Sequence, residues 1–369
     1  MAVYLVLALM TCGLACFVKR DEFRPITEVG EAKAEITRGR LYNKILYMLI
    51  FFFWFVISAG RIAVGGDYWK YKSIFNYLAQ NRDSMVATEF GFNLFVKIIQ
   101  HLFGADGKKY LIIFAIIGFV TLFFFLKGLT GLCENFALSF FMFTVLGYYA
   151  SSFNSIRNYL AFAVAFYAVR FIFRKEYWKF VLCVLLASTF HISILIVLVA
   201  YPLGLIKWKP WSVGLLTLVT ASFLIFPGVY KSLVFLVYPQ YENSIYDTGS
   251  TSYINIARCV GVLVLSLILY KRALKNNKCN MFYFNMNVIA LIIYSCCSFI
   301  PVISRAGYYF NIFQVVLVPH LIDAMPKKWM KIVSIAGIVL LGTAYYISFL
   351  EASRTNGTLL LPYLNWVMH

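Results

Sequence analysis

Charge is scarce in this chain of 369 residues. Asp, Glu, Lys and Arg together make up 13% of it, whereas 62% of the residues are hydrophobic and the mean hydropathy is +0.79. So few charged residues exclude a soluble globular protein of this length, because a soluble fold needs them to cover its outside. The apolar residues fall in long runs, and the sequence therefore predicts an all-α, polytopic integral membrane protein.

Acidic residues are scarcer still, with 15 Asp and Glu against 33 Lys and Arg. In a soluble protein the resulting net charge of +18 would suggest nucleic acid. Here the basic residues lie mainly in short connections between apolar runs, as the positive-inside rule expects of cytoplasmic loops. We therefore predict no nucleic-acid partner.

Common catalytic and metal-binding patterns are also absent. The chain has no CxxC or HxxxH pair, P-loop, GxSxG or dinucleotide glycine motif, which removes the sequence support for hydrolase, NTPase and Rossmann chemistry. Its eight cysteines lie mostly in or beside apolar runs and are interpreted as small core residues. We predict no metal and no cofactor. The N-terminal run lacks a basic n-region and is interpreted as the first membrane span.

The apolar runs predict about ten transmembrane helices in a single polytopic domain over residues 1–369, with both termini outside. Outer loops are expected at about 61–108 and 237–253. The basic segments on both sides of residues 180–206 resemble cytoplasmic loops, so one crossing there would invert the downstream topology. A hairpin of two half-helices that turns near His191 resolves this, and a single long tilted helix is the alternative. The other predicted spans include 110–126, 136–149, 158–173, 212–236, 254–269, 281–300, 307–322 and 330–350.

Polar residues gather at the predicted outer ends of the spans. Four of them are arginines, which the positive-inside rule disfavours on that side, so an anionic ligand explains them better than topology does. A guanidinium matches phosphate oxygens bidentately, and several together would hold a diphosphate. The alternative for each arginine is that its side chain snorkels to the lipid headgroups. The tyrosines are candidates for stacking on sugar rings, and their alternative is an interfacial aromatic belt. The candidate binding residues from this reasoning are Arg61, Asn154, Arg157, Arg258, Arg305 and Tyr68.

Asp67 and Glu89 are candidate general bases, because glycosyl transfer to a hydroxyl needs a group that takes up its proton. The alternative for each is a solvated loop carboxylate. His191 is a third candidate, as a base or as a hydrogen-bond donor to a phosphate or sugar oxygen. Its alternative role is to hold the ends of two half-helices together. With Arg157, these residues form the predicted catalytic set.

Four motifs carry a family resemblance. RIAVGGDYWKYKSIF is followed by TEFGFNLF, then by YYASSFNSIRNYLAFAVAF with its Asn-x-x-Arg, and then by LLASTFHISILIVLVAYPL with its Phe-His-x-Ser. In this order they resemble the EpsG-like branch of the Wzy-type polysaccharide polymerases. Arg305, Tyr308 and the closing LPY at 361–363 resemble the family's C-terminal half more loosely, and Asn158 stands where the family commonly has Gln.

The resemblance implies a metal-independent membrane glycosyltransferase of the bacterial cytoplasmic (inner) membrane, with its active site facing outward. Its implied substrate is an oligosaccharide repeat unit on undecaprenyl diphosphate, which it would join into an O-antigen, a capsule or an exopolysaccharide. Implied partners are this lipid-linked oligosaccharide and membrane lipid, with a flippase and a chain-length regulator as candidates. The resemblance also adds Tyr308 to the candidate binding residues. The alternatives are a polysaccharide ligase, a flippase or exporter of lipid-linked sugars, and a membrane O-acyltransferase.

Overall fold

The computed structural model describes residues 1–20, 37–237, 242–243, 251–299 and 303–366. Within these ranges the chain is helical, and its β-type pairing is a single bridge between Arg61 and Asn365. The all-α membrane class predicted from composition is confirmed. The helices are α1 (Ala2–Cys16), α2 (Arg38–Gly60), α3 (Tyr68–Ala79), α4 (Phe90–Phe103), α5 (Tyr110–Leu132), α6 (Phe136–Val145), α7 (Tyr148–Ser151), α8 (Ile156–Phe173), α9 (Tyr177–Ser188), α10 (Ile196–Leu203), α11 (Pro210–Ile225), α12 (Pro227–Val237), α13 (Tyr253–Ile268), α14 (Lys278–Cys296), α15 (Ile303–Asn311), α16 (Gln314–Asp323) and α17 (Lys328–Ala352).

Five of the described helices, α2, α5, α8, α14 and α17, are long and apolar enough to cross a membrane. A sixth crossing is formed if α11 and α12, which bend by 84° at their junction, make one broken span. Six shorter apolar helices of 10–17 residues accompany them. Several of the ten predicted crossings therefore correspond to helices too short to span a bilayer unaided.

The predicted span at 136–149 is interrupted in the structure. Helix α6 ends at Val145, and Gly147 follows with a φ of +81°. This left-handed conformation is strained for any residue with a side chain, and a Cβ at Gly147 would lie 2.9 Å from the ring of Phe349. Glycine therefore permits the break and the close approach of α17.

The predicted span at 212–236 also divides, into α11 and α12, where Pro227 follows Phe226. Proline lacks the N–H that continues a helix, and its ring disfavours helical geometry in the residue before it. Pro227 was the sequence signal for this bend.

Helix α9 ends at Ser188, and a short 3₁₀ helix begins at Ile192 before α10. This break lies where the sequence predicts the hairpin turn near His191. The fold-back of the two arms stays a prediction.

The described helices fall into two compact units, Met1–Leu195 with Lys331–His369, and Ile196–Met330. The core of the first unit is aromatic, and it packs α3, α4, α5 and α8 together. Its buried members include Tyr68, Tyr71, Phe75, Phe92, Phe114, Ile117, Ile156 and Leu160. This core supports the ends of α4 and α8, where the candidate site lies.

The C-terminal segment of the first unit holds the loop that precedes α3. Backbone N–H groups of Ile62, Gly65 and Gly66 donate to carbonyls of residues 358–364 at 2.8–3.0 Å. The hydroxyl of Tyr363 also donates to the carbonyl of Ile57 at 2.8 Å. These bonds fix the path of the chain from the end of α2 into α3.

Several buried amides of the second unit are hydrogen-bonded within that unit. Asn285 on α14 donates to the carbonyls of Gly204 and Ile206 at 2.8 and 2.9 Å. Asn287, two residues later on α14, donates to the carbonyl of Cys259 at 3.0 Å and accepts from Gln314 at 2.6 Å. Such pairing keeps polar side chains at membrane depth stable, because an unsatisfied group there is costly.

Candidate functional site

The N-terminus of α4 packs against the break between α9 and the 3₁₀ helix. The backbone N–H of Phe92 donates to the carbonyl of Thr189 at 3.1 Å. Gly91 permits this contact, because a Cβ there would lie 2.1 Å from Oγ1 of Thr189. Glu89, two residues before Gly91, is thereby carried to the side chain of His191.

Three donors converge on the carboxylate of Glu89. His191 Nδ1 and the backbone N–H of Ile192 both lie 3.2 Å from Oε1. Arg157 Nη1, from the first turn of α8, pairs with Oε2. The side chains of Glu89, Arg157 and His191 are 19%, 15% and 15% exposed. We call these three residues the Glu89 cluster.

The charge state of Glu89 follows from this environment. Burial by itself would raise the pKa of the carboxyl, but the hydrogen bond from His191 and the positive charge of Arg157 outweigh it, so the pKa lies below its ordinary value of 4.5. Glu89 is therefore an ionised hydrogen-bond acceptor at neutral pH.

Arg157 lies among aromatic rings at the start of α8. Its guanidinium carbon is 5.5 Å from the centre of the Phe92 ring and 6.0 Å from that of Tyr71. Its Nε is buried and has no hydrogen-bond partner among the described residues. Ser155, which precedes α8, makes no side-chain capping bond. A cation at a helix N-terminus adds to the positive end of the helix dipole, so this position attracts anions.

Asp67 lies close to the same helix terminus. Its backbone N–H donates to Oδ1 of Asn154 at 3.1 Å. A Cβ on Gly66 would lie 1.8 Å from the carbonyl oxygen of Gly357 and 3.2 Å from Asn154 Oδ1, so the loop is tightly enclosed there. The Asp67 carboxylate is half-buried and makes no ion pair within the described part of the chain.

The structure gives the two predicted carboxylates, Asp67 and Glu89, different surroundings. Asn154, two residues before α8, accepts from the backbone N–H of Asp67, whereas Arg157 in the first turn of α8 pairs with Glu89, which His191 also contacts. The Glu89 carboxylate is occupied by three donors, whereas Asp67 contributes a backbone N–H and keeps its carboxylate out of ion pairs with described residues.

Arg61 and Tyr68 point into the protein core. Arg61 is 2% exposed, donates from Nη1 to the carbonyl and Oγ of Ser58 at 3.1 Å, and lies 4.5 Å from the centre of the Phe153 ring. Tyr68 is fully buried and stacks on Phe114 at 4.6 Å. Their assignment as substrate ligands stays a prediction, and the contacts present are those of core residues.

The remaining predicted ligands belong to the second unit. Arg258 on α13 donates from Nη2 to Oδ1 of Asn255 at 2.9 Å. Tyr308 lies on α15 and is half-buried. Arg305 also lies on α15, and its side chain is outside the described residues. All three stay predictions.

Sequence reasoning missed Gly91 and Thr189, whose contact brings Glu89 to His191. A glycine two residues after an acidic residue was the available signal, because a small residue at a helix start indicates close packing.

The sequence of residues 44–365 matches the EpsG family, and this range includes every member of the Glu89 cluster. No curated protein and no solved structure matches.

Proposed function

Because the chain belongs to the EpsG family, we propose that it polymerises oligosaccharide repeat units carried on undecaprenyl diphosphate into a surface polysaccharide. Family membership confirms the resemblance seen in the four motifs and supports a polysaccharide polymerase of the glycosyltransferase type in general. The carrier lipid and the transfer at the outer face of the cytoplasmic membrane are parts of the proposal.

The observation that carries the proposal is the position of Arg157. Its guanidinium stands at the N-terminus of α8, and Glu89 holds it there through Nη1. A diphosphate brought to this terminus would meet a fork of donors and the positive end of the helix dipole. Charge that develops on the leaving phosphate oxygen during transfer would be stabilised there.

The other predicted ligands complete the hypothesis. Asn154 would contribute an amide beside Arg157, since its Oδ1 already orders the backbone of Asp67. Arg258, Arg305 and Tyr308 stay candidate ligands for the lipid-linked substrate. In this proposal the guanidinium groups neutralise the diphosphate, so transfer is metal-independent.

The experiment compares surface polysaccharide from cells that lack the gene, complemented with wild type, with Arg157→Ala, or with Arg170→Ala. Arg170 is a matched control, because it lies on the same helix and packs its guanidinium 4.5 Å from the Tyr167 ring. Membrane levels of each variant are measured in parallel. We expect the polymer ladder to collapse to single repeat units in the null and Arg157→Ala strains and to persist with Arg170→Ala.

Each other result has a definite meaning. A ladder that persists in the null strain contradicts the polymerase. Loss of the single repeat unit together with the ladder indicates a flippase or exporter. A normal polymer that accumulates on the carrier lipid without reaching its final acceptor indicates a ligase.

A further inference from the structure

The protonation of His191 follows from its hydrogen bond to Glu89. Glu89 is ionised by its ion pair with Arg157 through Oε2, so both of its oxygens only accept hydrogen bonds, and Oε1 already accepts one from the N–H of Ile192. The nitrogen that His191 directs at Oε1 is Nδ1, at 3.2 Å. Nδ1 must therefore carry the proton, and in the neutral ring the lone pair is on Nε2.

Glu89 itself is poorly suited to accept a proton from a substrate. Its oxygens are held by His191, Ile192 and Arg157, and these donors lower the pKa of the carboxyl. Taking up a proton would weaken all three contacts. A catalytic base works best when it binds protons near the working pH, which is the ordinary range of an imidazole and not of a paired carboxylate.

We propose that Nε2 of His191 is the general base of the transfer, and that Glu89 is a positioning residue that fixes the ring in its Nδ1–H form. This inference rests on the proposed function. The acceptor sugar hydroxyl gives its proton to Nε2, and its oxygen forms the new glycosidic bond to the anomeric carbon of the donor. The bond from that carbon to the diphosphate breaks, its electron pair stays on the phosphate oxygen near Arg157, and the imidazolium later releases its proton to water.

The arrangement couples the two halves of the reaction through one carboxylate. Oε1 of Glu89 orients the base, and Oε2 pairs with the guanidinium proposed to hold the leaving group. The charged groups that face His191 in the described structure are Glu89 from the start of α4 and, through it, Arg157 from α8. Asp67, whose carboxylate makes no described ion pair, is the competing base.

The test is polymerisation by the purified full-length protein in detergent, with lipid-linked repeat units as substrate. His191→Asn is the key variant, because the asparagine amide can still donate to Glu89 but has no basic nitrogen. We expect its turnover to fall by about 10²- to 10⁴-fold, the range for loss of a general base. We expect His191→Ala to be equally slow and to recover in part when imidazole is added.

Two more variants separate base from positioning residue. Glu89→Gln should lower kcat in the wild type and cause a smaller further loss in the His191→Ala background, because Glu89 acts on the transfer through the imidazole ring. A purely structural role for Glu89 would lower kcat by the same factor in both backgrounds. Asp67→Asn should keep the acid limb of the wild-type pH–rate profile.

The outcomes distinguish the inference from the function on which it rests. Full activity of His191→Asn, or loss of the acid limb in Asp67→Asn, overturns His191 as the base while polymerisation by the wild type stands. A wild-type protein that binds lipid-linked repeats but never extends them contradicts the proposed function itself.

Discussion

The sharpest prediction concerns Arg157→Lys, which keeps the charge and removes the fork of donors. In the structure Nη1 of Arg157 is engaged by Glu89, so a diphosphate must use the rest of the guanidinium. A lysine has a single nitrogen, and it would pair with either Glu89 or the phosphate. The substitution therefore preserves a cation at the site and removes at least one charge-assisted hydrogen bond.

The expected magnitude follows from that lost bond. A hydrogen bond to a charged group contributes about 1.5–3 kcal/mol. If the bond strengthens as charge develops on the leaving oxygen, its loss lowers the rate by about 10- to 150-fold, at about 1.4 kcal/mol for each factor of ten. Weaker contact with the rings of Phe92 and Tyr71 adds to the loss.

The assay is the initial rate of polymer formation from lipid-linked repeat units, per molecule of folded protein judged by its elution in detergent. Arg170→Lys on the same helix serves as the control and should keep the wild-type rate, because a lysine can maintain the contact with Tyr167. Activity of Arg157→Lys within about twofold of wild type would refute bidentate phosphate binding. It would reduce Arg157 to a counter-ion for Glu89.

Two further predictions concern the support of the site. Gly91→Ala should lower the melting midpoint and the activity, since overpacking at Thr189 costs about 1–3 kcal/mol. Gly13→Ala is the control and should be neutral or stabilising, because a Cβ at Gly13 would have nothing within 4 Å. Equal melting midpoints of the two variants would contradict the close contact at Gly91. The lowered pKa of Glu89 means that its ionised form stabilises the folded state above pH 4.5 and that this contribution is lost as the pH falls below that value. The gap in melting midpoint between wild type and Glu89→Gln should therefore narrow on acidification, and a constant gap would contradict the assignment.

Composition and local pattern determined much of the fold. Long apolar runs fix helices wherever the backbone must satisfy its own hydrogen bonds in lipid, so the all-α membrane class followed without any tertiary information. The break at residues 189–191 was also predicted, because the charge of the flanking loops disfavours a simple crossing. The apolar run at 212–236 predicted one unbroken span, and the bend before Pro227 was missed, although a proline inside an apolar run indicates a break in the helix.

The four motifs contain both Arg61 and Arg157, but they do not show where either side chain points. Arg61 and Arg157 both stand at the end of an apolar run, yet Arg61 turns into an aromatic core while Arg157 meets a carboxylate. Which way a side chain points depends on the packing of neighbouring helices, and local sequence does not encode it.

Pairing within the site was decided by tertiary structure alone. Glu89 is separated from Arg157 by 68 residues and from His191 by 102. These groups meet because Gly91 lets α4 approach Thr189 while the aromatic core holds α4 against α8. The sequence identified a base and an anion site as the required chemistry. The packing of the helices brings three hydrogen-bond donors to Glu89 and leaves Asp67 without an ion pair among the described residues. Only the tertiary structure could decide this, because the strength of an electrostatic contact depends on distance in space and not on separation along the chain.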